Sequence, residues 1–432
     1  MNAARRGLPI GFLFALIPLI PLLIVGVVLL RAQGGIAALS APREPATAFV
    51  ADAATLQRGE YLARLGNCST CHTARGGATL AGGRAFVTEY GTIHSTNLTP
   101  DPTTGIGDWS VAEFRHVMKH GVSRHGLLYP VFPFQNFQHL TEQDVDAIFA
   151  WLKQQPPVEQ ATPANELSFP ASQRAALIGW RMFFHRPRTL VEEPSQSAEW
   201  NRGRYLVEGL GHCDMCHGER GAFGSLLDGR GNAGSVIPGL GWHAPALDRE
   251  SLARWSSEEL AHYLRSGAGK HGSAYGPMAE VIASSLQWLE EGDALAIATY
   301  IKSLPRTAAP VPVRGPKART QLGYASVALY EKHCADCHGK NGEGEDGKFP
   351  PLAGNPLVLA DDPVNPIRVV LYGAAAPSTQ ANPAPHSMPP FVDRVSDADL
   401  LLLLNHIRGS FGNDARAVTI EQLRAARTLP LE

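Results

Sequence analysis

All six cysteines of the 432-residue chain fall into three copies of one five-residue pattern. CSTCH supplies Cys68, Cys71 and His72; CDMCH supplies Cys213, Cys216 and His217; CADCH supplies Cys334, Cys337 and His338. Two thiols three positions apart share one helical turn and reach the two vinyl groups of a porphyrin. The adjacent histidine comes under the ring and offers a nitrogen to iron. Zinc sites also pair C-x-x-C, but they do not require a histidine after each pair. A redox pair would stand near a βαβ pattern, which the sequence does not show. A disulfide across so short a loop stabilises little. The pattern therefore predicts three covalently bound haem c groups, each with a proximal histidine.

A methionine on the far face of a haem raises its potential and suits electron transfer. Met278, in KHGSAYGPMAEV, follows His217 by 61 residues, and Met388, in APHSMPPF, follows His338 by 50. Each adjoins proline in what reads as polar, non-helical chain, and both are expected to be axial ligands. The first copy departs from this pattern. RHGLLYPVF aligns with KHGSAYGPM at His-Gly and at Tyr, which sets Phe132 opposite Met278, 60 residues after His72. Phenylalanine cannot ligate iron. Met118 faces Leu264 and lies near Val370 in the repeat, so it is expected in a core. His94, His116 and His125 have counterparts in His243, His262 and His271, whereas His120 faces Ser266. The simplest expectation is a five-coordinate or weakly ligated first haem, with His120 as the alternative ligand.

The elements that must position these groups repeat as well. RGEYLARLGNC (58–68) stands before the first signature and RGRYLVEGLGHC (202–213) before the second. WSVAEFRHVMKHG (109–121) matches WSSEELAHYLRSG (255–267) at Trp, Ser, Glu and Gly, and each reads as a capped helix start. A closing helix begins at Thr141, where Asp144 three residues on makes a loose capping box, and carries Val145, Ile148, Phe149 and Leu152 on one face. Another begins at Ser396 and carries Leu400, Leu403, Leu404 and Ile407. An N-terminal helix with the cysteines, a middle helix and a closing helix around one haem make the cytochrome c fold. The predicted fold class is mainly α: three tandem cytochrome c domains behind an N-terminal transmembrane helix.

Proline and polar clusters set the expected boundaries. The cytochrome domains run over 51–155, 199–305 and 321–413. Residues 156–198 connect the first two, 305–320 form a stiff linker, and 414–432 read as a tail with some helical pattern. Within the connecting segment the apolar stretch 175–184 is too short to span a bilayer and is expected to pack against a module or a partner. Leu8 to Leu30 is an uncharged run of 23 residues between Arg5, Arg6 and Arg31. A spanning helix needs about 20 apolar residues and a signal core about 7–15. The expectation for 1–35 is a retained anchor, a cleaved signal being the alternative. Either way the haem domains are exported to the periplasm.

A formal net charge of −2 gives no basic field for nucleic acid. With 43 glycines and 33 prolines the chain is loop-rich. No dinucleotide fingerprint, phosphate loop or second metal motif is visible. No residue is assigned a catalytic role.

The motifs GNCSTCH, STNLTPDPTTGIGDWS, LLYPVFPF, GLGHCDMCHG, GPMAEV, CADCHG and HSMPPF resemble the tri-haem cytochrome c subunits of bacterial membrane-bound dehydrogenases. The resemblance covers nearly all of the chain after residue 50. It implies electron relay from a separate catalytic subunit through three haems to ubiquinone or an oxidase, at the bacterial inner membrane. Alcohol dehydrogenase partners typically carry Y-P-x-M-P where this chain has Tyr129-Pro130-Val131-Phe132-Pro133. The Y-P-x-F-P form, the N-terminal apolar run and the 165–184 segment look more like cytochromes of molybdenum hydroxylases, membrane-bound aldehyde dehydrogenase among them, whose complexes can include an iron–sulfur subunit. Cytochromes of quinoprotein (PQQ) alcohol dehydrogenase or flavin-dependent sugar and sugar-acid dehydrogenases are the alternative. A catalytic haem enzyme with an open first haem, served by His120 or His125, and a terminal oxidase subunit are readings of another class.

Overall fold

The computed structural model describes residues 51–430 except Asp228 and 307–314, together with Pro21–Leu23, Gly26, Ala41, Pro42 and Glu44. The expected anchor over 8–30 falls almost wholly outside the described residues. Among the described residues no helix is long and apolar enough to cross a membrane.

The chain is mostly helical, with short two- and three-stranded hairpins. The first third is built from α1 (Ala53–Leu65), α2 (Val111–His120) and α3 (Glu142–Lys153). After α4 (Ala176–Phe184) the arrangement recurs in α5 (Ala198–Arg204), α6 (Ser257–Ser266), α7 (Pro277–Ser284) and α8 (Glu291–Ser303). The last third holds α9 (Tyr324–His333), α10 (Val364–Tyr372), α11 (Asp397–Gly409) and α12 (Ile420–Thr428).

Helix starts follow the capping chemistry read from the sequence. Ser110 with Glu113 and Ser256 with Glu259 form full capping boxes, and Thr141 and Ser396 accept the third amide of their helices. Asp144 does not close a box on Thr141. Its carboxylate is taken by Arg58 and Tyr205 instead.

Two glycines set the repeated crossing. A Cβ on Gly59 would lie 1.9 Å from the Ala147 carbonyl oxygen, and one on Gly203 would lie 1.9 Å from that of Ala296. No side chain fits there, so α1 packs backbone-close on α3 and α5 on α8. Gly59 precedes Cys68 by nine residues, whereas Gly203 precedes Cys213 by ten. The extra residue is absorbed in a π-turn, Tyr205–Leu210.

The first two units share one apolar core. Leu62, Leu65, Ile148 and Leu152 are continuous with Leu206, Leu210, Leu264 and Ile301. Leu400, Leu404, Leu403 and Ile407 of α11 belong to separate cores. The stretch after residue 413 is no loose tail: Val418, Leu423 and Ala426 are buried against α10 and α11, and Arg427 pairs with Asp397. Their polar neighbours hid this amphipathic face. The far end of the 305–320 linker also docks, with Ala318 fully buried and its neighbour Arg319 against Gly409. The 175–184 stretch forms α4 and seats Leu177 on Val122 and Leu127.

Candidate functional site

Each cysteine pair stands on or at the start of a single helical turn: Cys68–Cys71, Asp214–His217 after Cys213, and Ala335–His338 after Cys334. Each following histidine meets the same kind of partner. His72 Nδ1 lies 2.6 Å from the Thr96 carbonyl oxygen, His217 Nδ1 2.7 Å from that of Pro245, and His338 Nδ1 2.9 Å from that of Pro350. A carbonyl can only accept, so Nδ1 carries the proton and Nε2 keeps its lone pair. Burial lowers all three imidazole pKa values, which also favours the neutral ring. Three neutral imidazoles are thus oriented by backbone carbonyls, each with an Nε2 lone pair left free to bind a metal.

The polar atoms left over fit the remainder of a haem. His94 Nδ1 and its repeat partner His243 Nδ1, with Trp242 Nε1 and Arg265 Nε, are buried without a hydrogen-bond partner among the described residues. Buried polar groups are rarely left so, and carboxylates such as haem propionates would satisfy them. Thiols, histidines and orphaned donors together suit a covalently held haem.

The residues expected on the far side all pack against apolar cores. Phe132 and Met278 are both half-buried against the shared core, and Met388 is half-buried against the core of the last unit. Met278 departs from the expected non-helical setting. Pro277 starts α7, with Met278 in its first turn. Proline at N1 loses no helical hydrogen bond, so the proline that looked like a breaker is a helix start. Met388 sits in a two-residue strand paired with Ala374. Met118 is buried in the core, as its repeat partners Leu264 and Val370 are in theirs. His120 stacks on His116 at 4.7 Å between centroids, and burial, then His116, Lys119 and Arg181, push it down to about 4. His125 is exposed at a hairpin turn.

Side chains link the first cysteine turn to the second unit: Arg84 donates to the Thr70 carbonyl, inside that turn, at 2.9 Å. Burial pushes the Cys71 thiol up to about 11, Arg84 opposes this, and Glu280 and Cys216 of the second unit add to the rise. Arg84 donates to Glu280 through its two terminal guanidinium nitrogens, at 2.6 and 2.9 Å. Phe132 meets Phe137 edge-on at 5.4 Å, and Phe137 meets His212, the residue before Cys213, at 5.7 Å. Asn136 donates to the Asp214 carboxylate at 2.8 Å, and burial holds that acid up near 6. The third unit docks on the second through Asn365, whose side chain brackets the His243 backbone with two 2.8 Å bonds.

The cytochrome c family pattern matches residues 56–156 and 325–410. The chain is 37% identical over 388 residues to the cytochrome c subunit of a quinone-linked alcohol dehydrogenase from Gluconacetobacter polyoxogenes, covering 84% of this chain and 82% of that one. It is 37% identical over 404 residues to the gluconate 2-dehydrogenase cytochrome c subunit of Pantoea cypripedii, covering 87% and 90%. The chain belongs to the dehydrogenase cytochrome c subunits. Cytochrome c domains of this kind bind haem c covalently, and the geometry above accounts for it. The cytochrome is also 40% identical over 374 residues to a nicotinate dehydrogenase subunit of Pseudomonas putida, covering 84% of this chain but spanning only 31% of that protein.

Proposed function

We propose that the chain is a tri-haem electron relay of a membrane-bound dehydrogenase complex. Three units take one haem c each, over 51–155, 199–305 and 321–413, the last completed by 415–428. Cys68 and Cys71, Cys213 and Cys216, and Cys334 and Cys337 form the thioethers. His72, His217 and His338 would each hold an iron, and Met278 and Met388 would supply the further ligand of the second and third.

Haem c, when bound, supplies one-electron exchange between ferric and ferrous iron. The protein does the rest. Thr96, Pro245 and Pro350 hold the imidazoles in one tautomer. Phe132, Phe137 and His212 keep the space between the first two attachment turns apolar and filled. The observation that carries the reading is the run of ring contacts Phe132–Phe137–His212, which joins the first unit to the residue before Cys213. Two haems tethered to units joined in this way would be held at fixed separation, which relay requires and single-site catalysis does not. His120 is packed against His116.

Residues 8–30 anchor the protein in the bacterial inner membrane, with the units in the periplasm, and ubiquinone is the acceptor. The donor is a catalytic subunit of the molybdenum-hydroxylase type. Kinship with a nicotinate dehydrogenase subunit supports this, since nicotinate is an N-heterocyclic acid. The match over most of the length of alcohol and gluconate dehydrogenase cytochromes supports the alternative of a quinoprotein or flavin partner.

The test is rapid mixing of the purified complex with N-heterocycles, aldehydes, alcohols and sugar acids while haem absorbance is followed. Substrate reduction of three haems per chain, reoxidised by a ubiquinone analogue, is expected. Haems that stay oxidised with every substrate, or fewer than three by pyridine haemochrome, would end the reading.

A further inference from the structure

Helix α4, ALIGWRMFF, has a single charged residue, Arg181, and that residue is turned inward: it is 3% exposed and lies over the Phe134 ring at 4.7 Å. On the outer side Ile178 is 37% and Phe183 63% exposed. A helix facing water does the reverse, with charge outside and apolar groups inside. Other exposed aromatics accompany the helix. Phe169, seven residues before it in the chain, is 82% exposed, and Phe223, 62% exposed, is tied to α4 by the Trp180 indole, which donates to its carbonyl at 2.9 Å. Isolated exposed apolar residues need no explanation, but here Trp180, Phe183, Phe184 and Phe223 adjoin ring to ring, at 5.7 to 6.3 Å between centroids.

Two further observations say what covers it. A Cβ built on Gly26 would lie 3.3 Å from Met182 Cε, so α4 touches Gly26, a residue that belongs in the sequence to the apolar run Leu8–Leu30. Arg174, Arg186 and Arg188 are exposed at the two ends of the helix. Aromatic and aliphatic groups ringed by arginines match the boundary between acyl chains and anionic headgroups.

We propose that the outer face of α4, with Phe169 and Phe223, lies in the bilayer surface and seats the first unit against the membrane. It rests on the anchor reading of residues 8–30 given above. The face then fixes which unit is nearest a lipid-soluble acceptor, a matter the anchor alone leaves open across the linker of residues 36–50.

The test places p-benzoylphenylalanine singly at Phe183, Phe169, Leu22 or Tyr324 of the full-length haem-loaded chain, in membranes containing the whole complex. After illumination, adducts are identified by mass spectrometry. Phosphatidylethanolamine and phosphatidylglycerol adducts are expected at 183, 169 and 22, and none at 324, an exposed site on the third unit. Lipid adducts at 22 with a protein adduct at 183 would overturn the proposal and name the occupant, a catalytic subunit or a second copy. Lipid at 22 and no adduct at 183 would overturn it as well. Absence of lipid adducts at both 22 and 183 would instead remove the anchor reading beneath it. No readout depends on electron transfer.

Discussion

Tyr61 and Tyr205 are exchanged between halves: Tyr61 donates to Asp293 of the second unit at 2.7 Å, and Tyr205 donates to Asp144 of the first at 2.6 Å. Each aspartate is also held by an arginine of its own unit, Asp144 by Arg58 and Asp293 by Arg202. Matching residues of the R-G-x-Y repeat thus bridge the shared core in both directions. Burial works to raise the Asp293 pKa, but Arg202 and Tyr61 outweigh it and hold it below the usual carboxylate value.

The exchange predicts an acid-sensitive interface. A carboxylate held low contributes stability that is present above its unfolded pKa and lost as pH falls through the folded one. Tyr61→Phe lets the Asp293 pKa rise, so the acid-unfolding midpoint should move to higher pH. A neutral-pH loss of about 0.5–1.5 kcal/mol is expected from one such bond. Circular dichroism against pH and temperature measures both, and an unchanged acid midpoint would remove the bridge from the account.

Replacing Gly59 or Gly203 with alanine should separate crossed helices. The added methyl group meets a carbonyl oxygen at 1.9 Å, so the backbones must move. Overpacking of this kind costs about 1–3 kcal/mol. Thermal melts should show comparable losses for the two variants, because the sites are equivalent. Wild-type melting of either would contradict the crossing.

Met278→Ala and Met388→Ala should each lower the potential of one haem and leave its thioethers intact. Loss of a thioether ligand removes a group that favours ferrous iron. Potentiometric titration with haem staining on a denaturing gel reads both properties. Unchanged potentials in both variants would make these methionines packing residues.

The first haem should lack methionine ligation and titrate apart from the other two. Phe132 excludes water, which favours ferrous iron, but loss of the ligand is expected to dominate. Phe132→Met should bring the odd haem towards its neighbours and raise its potential. Three His/Met haems in the unmodified protein, by low-temperature electron paramagnetic resonance, would show that another methionine reaches the iron.

Much of this is legible in the sequence because haem attachment and helix capping are local. The C-x-x-C-H turns, the Ser110 and Ser256 boxes, and the buried faces of α3 and α11 lie within spans of a few residues. Met118 and Phe132 are placed by counting along the repeat, which depends on spacing alone. Asp144 reads locally as a cap because its true partners, Arg58 and Tyr205, lie 86 and 61 residues away. Tyr61 and Tyr205 stand out as a repeat, but nothing local says a side chain crosses to the other copy. Pro277 is ambiguous because proline both breaks and begins helices. The burial of α12 depends on a surface supplied by α10 and α11, which no short window contains.

The π-turn at Tyr205–Leu210 has a consequence for heredity. One codon separates the second copy from the first between its glycine crossing and its cysteines. A pure α-helix would have rotated every downstream side chain by a hundred degrees and lost the motif. By widening one turn, the backbone confined that insertion to six residues, so the duplicate could diverge in length without surrendering its prosthetic group.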